Sequence, residues 1–194
     1  MLRKTIKNIA LLDLQNFTAE ALRDIKKIES CAMLLIPKNA SDEWKNAYAK
    51  ITIRNVASII EVSYSKYSVL NGMVTLNDKN VSDDCLYIVN GIVILETVEK
   101  IPDLCVNGLL LKRKKSRYEM TRMNGRSVEV EDNVVIKPYP NTIEIDGNTV
   151  RSFDYNTLVA AGNNVDIVDD VTEQMLSDKK ITFAAGNEVK SVSY

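Results

Sequence analysis

Leu86-Tyr87-Ile88-Val89-Asn90-Gly91-Ile92-Val93-Ile94-Leu95 is the stretch on which the fold turns. It admits two readings. Asn-Gly between β-rich runs is the strongest short-range signal for a hairpin. The same phrase repeated down a chain instead marks a stack of similar units. The phrase does repeat, as Ile6-Lys7-Asn8-Ile9, Ile53-Arg54-Asn55-Val56, Val69-Leu70-Asn71-Gly72 and Cys105-Val106-Asn107-Gly108. Weaker copies stand at Ile28-Glu29-Ser30-Cys31, Met123-Asn124-Gly125 and Ile145-Asp146-Gly147. The polar residues fall at 8, 30, 55, 71, 90, 107, 124 and 146, so the repeat is about 20 residues.

The early copies separate the two readings. Asn8 is followed by Ile9, Ser30 by Cys31 and Asn55 by Val56. A β-branched residue is badly placed at the second position of a type I′ turn, where φ must be positive. The prediction is therefore a mainly β chain with some α: a parallel β-solenoid with helical units at both ends. The alternative is an antiparallel hairpin meander.

Aligned on the polar residue, the copies keep apolar residues two before it (Ile6, Ile28, Ile53, Val69, Ile88, Cys105) and four after it (Leu12, Leu34, Ile59, Ile94, Leu111). Even separations share one face of a strand. The amides have the same parity, so Asn8, Asn55, Asn71, Asn90, Asn107 and Asn124 are expected to point inward. A buried amide must use its donors and acceptors. Coils about 4.8 Å apart would let each amide bond to the next as a ladder. The following Gly would serve a corner with positive φ or close packing.

Three helices are predicted. Thr18 to Ile28 opens with a Thr N-cap, has Glu20 near its start and Lys26 and Lys27 near its end. Ser41 to Ile51 carries Trp44, Ala47, Tyr48 and Ile51 as one buried stripe, which makes the only Trp a core residue. Asp170 to Ile181 echoes the first. The expected layout is one repeat domain over 1–194: helix-containing repeats at 1–68, short strand-turn repeats at 69–150, and capping repeats with a helix at 151–194. Helix-bearing end units would cover the strand edges an open solenoid exposes.

The Ile/Val-x-Asn-Gly phrase with its Thr-x-x-x-Leu helices resembles bacterial repeat proteins whose copies read "VNG" before an apolar run. That resemblance implies an architecture and no activity. Ile9-x-x-Leu12-x-Leu14 is similar to leucine-rich-repeat spacing, although later copies lack the Asn that follows it. The Val/Ile- and Gly-rich spacing also resembles bactofilins. These are cytoskeletal β-helices that polymerise end to end, and helices inside the coils are a departure from them.

Composition narrows the chemistry. The formal charge of −1 gives no overall pull toward polyanions. Three cysteines, an odd number, argue against a disulfide framework, and Cys31 and Cys105 sit at core slots of the repeat. With no histidine, the Ser-His and Cys-His nucleophile pairs and imidazole metal ligands are ruled out. No metal or other cofactor is expected. Met1-Leu2-Arg3-Lys4-Thr5-Ile6-Lys7 leads into no apolar segment of signal or membrane-anchor type, so a cytoplasmic location is expected.

Two charged stretches are candidate sites. Residues 112–126 hold Lys112, Arg113, Lys114, Lys115, Arg117, Arg122 and Arg126 against the single acid Glu119. They could grip nucleic acid or an acidic lipid surface. The plainer alternative is a solvated loop paired with Glu129, Glu131 and Asp132. Asp166, Asp169, Asp170 and Glu173 lack the regular spacing of a Ca²⁺ loop and read as acids at a helix start. No carboxylate pair recurs on one face, so no catalytic residue is assigned. The sequence points to a non-enzymatic scaffold or protein-interaction module with an unidentified protein partner. The alternatives are a self-associating, bactofilin-like polymer and an anion binder acting through 112–126.

Overall fold

Strands centred on Asn or Gly run straight through those residues as long bent strands instead of reversing at them. A computed structural model describes residues 4–63 and 66–192; Met1, Leu2 and Arg3 of the N-terminal segment lie outside them. Among the described residues every strand pairing is parallel. The hairpin meander is thereby overturned, because a hairpin joins antiparallel strands. The chain divides into two compact units, 1–65 and 66–194.

The first unit is a sheet in the order β1 (Lys4–Asp13), β2 (Ile25–Pro37), β3 (Thr52–Val62). Helix α1 (Ala19–Arg23) fills the first crossover and α2 (Asp42–Tyr48) the second. Thr18 caps α1 as expected, its hydroxyl accepting from the Ala21 N–H. The helix nevertheless ends at Arg23, well short of Ile28. Ile25 and Ile28 are taken into β2, where they are buried, and Lys26 and Lys27 become strand residues. Burial of β-branched residues against a sheet outweighs the weak preference for one more helical turn. Ser41 caps α2, and Trp44 stacks on Tyr48 while donating Nε1–H to the Phe17 carbonyl at 3.0 Å. The core joins Leu22, Trp44 and Ala47 of the helices to Ile28, Cys31 and Leu34 of β2. Each such large side chain contributes about 1.5–3 kcal/mol on burial.

The second unit opens with a four-stranded sheet in the order β4 (Lys66–Asn77), β5 (Cys85–Glu96), β6 (Asp103–Arg113), β7 (Glu119–Val130). Three further coils follow: β8 (Val135–Tyr139) with β9 (Ile143–Ile145), β10 (Thr157–Ala161) with β11 (Asn164–Val168), and β12 (Thr182–Ala185) with β13 (Glu188–Val192). They stack as two sheets, β8-β10-β12 and β9-β11-β13. Helices α3 (Gly147–Ser152) and α4 (Glu173–Lys179) occupy their crossovers.

The unit has two interiors and a seam. Val89, Val93, Leu95, Leu104, Val106 and Leu110 form the inner core of β4–β7. Val150, Val159, Ala161, Val165 and Ala185 form that of the later coils. Between them, Ile92, Leu109 and Leu111 pack against Leu158, Ala160 and Ala184. The central strands are therefore covered on both faces, which explains the unbroken apolar runs Ile92–Leu95 and Leu109–Leu111.

Two expectations need correction. Helix α3 begins at Gly147, inside the stretch expected to be mostly strand and turn, and Asp146 is its N-cap rather than a repeat corner. An Asp side chain can accept from the N–H three residues on, and here that cap outweighs the Asp-Gly resemblance to the repeat. The expected helix from Asp170 to Ile181 is the shorter α4, capped by Thr172. The helices pack their apolar residues into the cores of their coils.

Candidate functional site: corner ladders and the groove between them

The repeated phrase forms the bends of the coils. In β4–β7 the register aligns Asn71 with Asn90, Asn107 and Asn124, and Gly72 with Gly91, Gly108 and Gly125. Asn90 Nδ2 donates to Asn71 Oδ1 at 2.9 Å, and Asn107 Nδ2 to Asn90 Oδ1 at 2.8 Å. The amide ladder is present, but it does not face inward. Asn71, Asn90 and Asn124 are exposed and Asn107 is half-buried. The parity argument holds: Asn90 shares its face with Ile88, Ile92 and Ile94. That face is the outer one, covered by β8-β10-β12 beyond the bend and open at the bend itself.

The glycines do the turning here. Their φ values are 86°, 135°, 137° and 138°. A Cβ on Gly91, Gly108 or Gly125 would land on the carbonyl oxygen of the glycine one coil before, whereas one on Gly72 would meet nothing within 4 Å. Asn8, Ser30 and Asn55 solve the same problem differently. Each takes the left-handed conformation itself, at φ 60°, 55° and 50°. Among the described residues no side-chain bond links these three, so Asn8 and Asn55 are corner residues and not rungs.

Sequence reasoning missed a second line of corners. Pro140, Gly162 and Gly186 stack one over another: a Cβ on Gly162 would strike the Pro140 carbonyl, and one on Gly186 the Gly162 carbonyl. The Asn163 N–H donates to the Asn141 carbonyl at 3.2 Å, and that of Asn187 to Asn163 at 2.8 Å. The signal lay in Ala160-Ala161-Gly162-Asn163 and Ala184-Ala185-Gly186-Asn187, where Gly and Asn stand in reversed order. The two corner lines face each other across a groove of about 440 Å³, lined by Asn, Gly and Pro residues alone, among them Asn90, Asn107, Asn124, Asn163 and Asn187.

The basic strip is largely committed elsewhere. Lys112 lies 3.3 Å from Glu129, Lys114 3.1 Å from Glu131, Lys115 3.6 Å from Asp132 and Arg113 3.4 Å from Glu96. Arg113 also donates to the carbonyls of Glu131 and Val134, and Arg117 to that of Glu99. The hydrogen-bonded carboxylates raise the pKa values of Lys112 and Lys114. Arg122 and Arg126 stand on the outer face of β7, flanking Asn124, with no carboxylate partner among the described residues.

The acids near α4 do not converge. Asp170 accepts from the Gly147 N–H at 2.9 Å, Asp166 lies 3.8 Å from Lys190, and Glu173 is in the first turn of α4. Among the described residues no cluster of acids and cysteines has the makings of a metal site. Cys31 and Cys105 are buried, and burial pushes the Cys105 thiol up. No helix among the described residues is long and apolar enough to cross a membrane. Comparison with protein-family models, with curated proteins and with solved structures gives no match.

Proposed function

We propose that this chain is a non-enzymatic scaffold that engages a protein partner along β4. One observation carries the reading. Tyr67, Val69 and Met73 on the outer face of β4 are 36%, 43% and 43% exposed, although their register neighbours Leu86, Ile88 and Ile92 are at most 1% exposed. Clustered apolar surface of this kind marks an interaction site. β4 also ends its sheet, so its outer backbone groups have no strand partner within that sheet. The partner that fits is an extended segment with apolar residues on alternate positions. A photocrosslinker at position 69, in the native host, should yield a discrete adduct that Met73→Asp abolishes. A crosslinker at Gln174, exposed on α4, should not. No adduct from position 69, or the same adduct from both positions, overturns the reading.

A second reading is self-association, as the bactofilin resemblance implies. It draws on Gly72, which lacks the overlying carbonyl that each later glycine in its line receives. Gly125 of a second copy would supply one, and sedimentation growing with concentration would reveal it. An anion-binding strip has less support, because four of its seven cations already face carboxylates.

A further inference from the structure

The groove between the corner lines offers one kind of chemistry repeated along its length. Each carboxamide carries two N–H donors and an oxygen with two acceptor sites. The ladder uses one donor and one acceptor of Asn90, leaving one of each. Asn124 takes no part in the side-chain bonds that join Asn71, Asn90 and Asn107, so its amide is wholly available. Asn163 and Asn187 stand exposed on the facing line. No lining side chain is ionisable, although Arg122 and Arg126 flank Asn124 on the same face of β7.

From this we infer that the groove binds an uncharged linear oligosaccharide lying along the stacking direction. A hydroxyl both donates and accepts, which is what each free rung requires. The spacing also discriminates. Coils repeat at about 4.8 Å, whereas an extended peptide advances about 3.3 Å per residue and presents one side only every second residue. A peptide along the groove would therefore fall out of step within two rungs. A β-1,4-linked pyranose chain turns over at each ring but carries hydroxyls on both edges, so every rung, spaced at close to one ring length, still meets a hydroxyl. The glycines at both bends keep the walls low, and the tight stacking of their carbonyls holds the rungs in place before any ligand arrives.

The inference is independent of the β4 surface and can be tested separately. Cellohexaose, chitohexaose and maltohexaose would each be titrated into the full-length protein while the side-chain amide NMR resonances are followed. At least one should give saturable shifts at Asn107, Asn124 and Asn163. The variant Asn124→Ala/Asn163→Ala removes exposed side chains outside the ladder bonds, so it should keep the native spectrum and weaken binding by about tenfold or more. Raising the salt concentration, Lys114→Glu and Met73→Asp should leave the titration unchanged. The inference is overturned if none of the three sugars shifts these amides. It is also overturned if the shifts fall elsewhere, if the double variant binds as well as the parent, or if heparin alone occupies the groove and salt removes it.

Discussion

The two units bend their strands at the same phrase and turn it to opposite purposes. In β1–β3 the polar residue itself adopts positive φ, and the residues two before, one after and four after it, such as Ile28, Cys31 and Leu34, line the core beneath the helices. In β4–β7 the following glycine carries the positive φ. The residues one before and three and five after the polar residue, such as Val89, Val93 and Leu95, then line the core. Moving the unusual conformation by one residue changes which side chains face in. It also frees the Asn side chains of the second unit to form a ladder. One short motif thus makes two different corners, and the residue after it decides which.

The sharpest way to break that comparison is to add a methyl group to each type of corner. Gly108→Ala places Cβ on the Gly91 carbonyl oxygen at φ 137°, so adjacent coils must part. A loss of about 3 kcal/mol or more is expected, read from the urea midpoint, or no folded product at all. Gly72→Ala meets open space and bears only the cost of positive φ, about 1–2 kcal/mol. Equal losses at the two sites would show that backbone conformation, and not stacking, sets the glycine requirement.

In the first unit Asn55→Val should cost about 1–2 kcal/mol, because a β-branched residue resists the left-handed region, while Asn55→Gly should be close to neutral. A loss with Gly would mean that the Asn55 side chain holds the bend as well. Asn90→Ala removes two exposed ladder bonds and should cost about 1 kcal/mol in total. Double-mutant cycles with Asn107 should then show coupling between neighbouring rungs.

Acid should weaken both units, because hydrogen bonds also hold the carboxyls of Glu20 and Glu29 in the first below the usual range. Hydroxyl groups of Thr18 and Ser41 cap the helices of the first unit. In the second, Asp78 accepts the backbone N–H groups of Lys100, Val98 and Glu99, and these bonds hold its carboxyl below the usual range. A depressed carboxyl contributes stability that is fully present above its unfolded value. That stability is lost as the pH falls from about 4 through the folded value. Hydrogen exchange at Val98, Glu99 and Lys100 should therefore accelerate in acid, and Asp78→Asn should remove that acid dependence. This is the smallest of the expected effects.

The repeat phrase, its spacing and the β-branched residues after Asn8 and Asn55 were enough to choose stacked parallel coils over hairpins. They were also enough to align the rungs Asn71, Asn90 and Asn107. The cap at Thr18 was legible because it acts within three residues. The direction of the amides was not legible. Parity tells which residues share a face, but whether that face is covered at the bend depends on β8-β10-β12, which arrive much later in the chain. The length of α1 was lost for the same reason, since Ile25 and Ile28 gain more from the sheet than from another helical turn. Local conformational rules operate over a few residues and can be read from the order of residues alone. Burial is set by whatever finally packs alongside, and only the folded chain decides that.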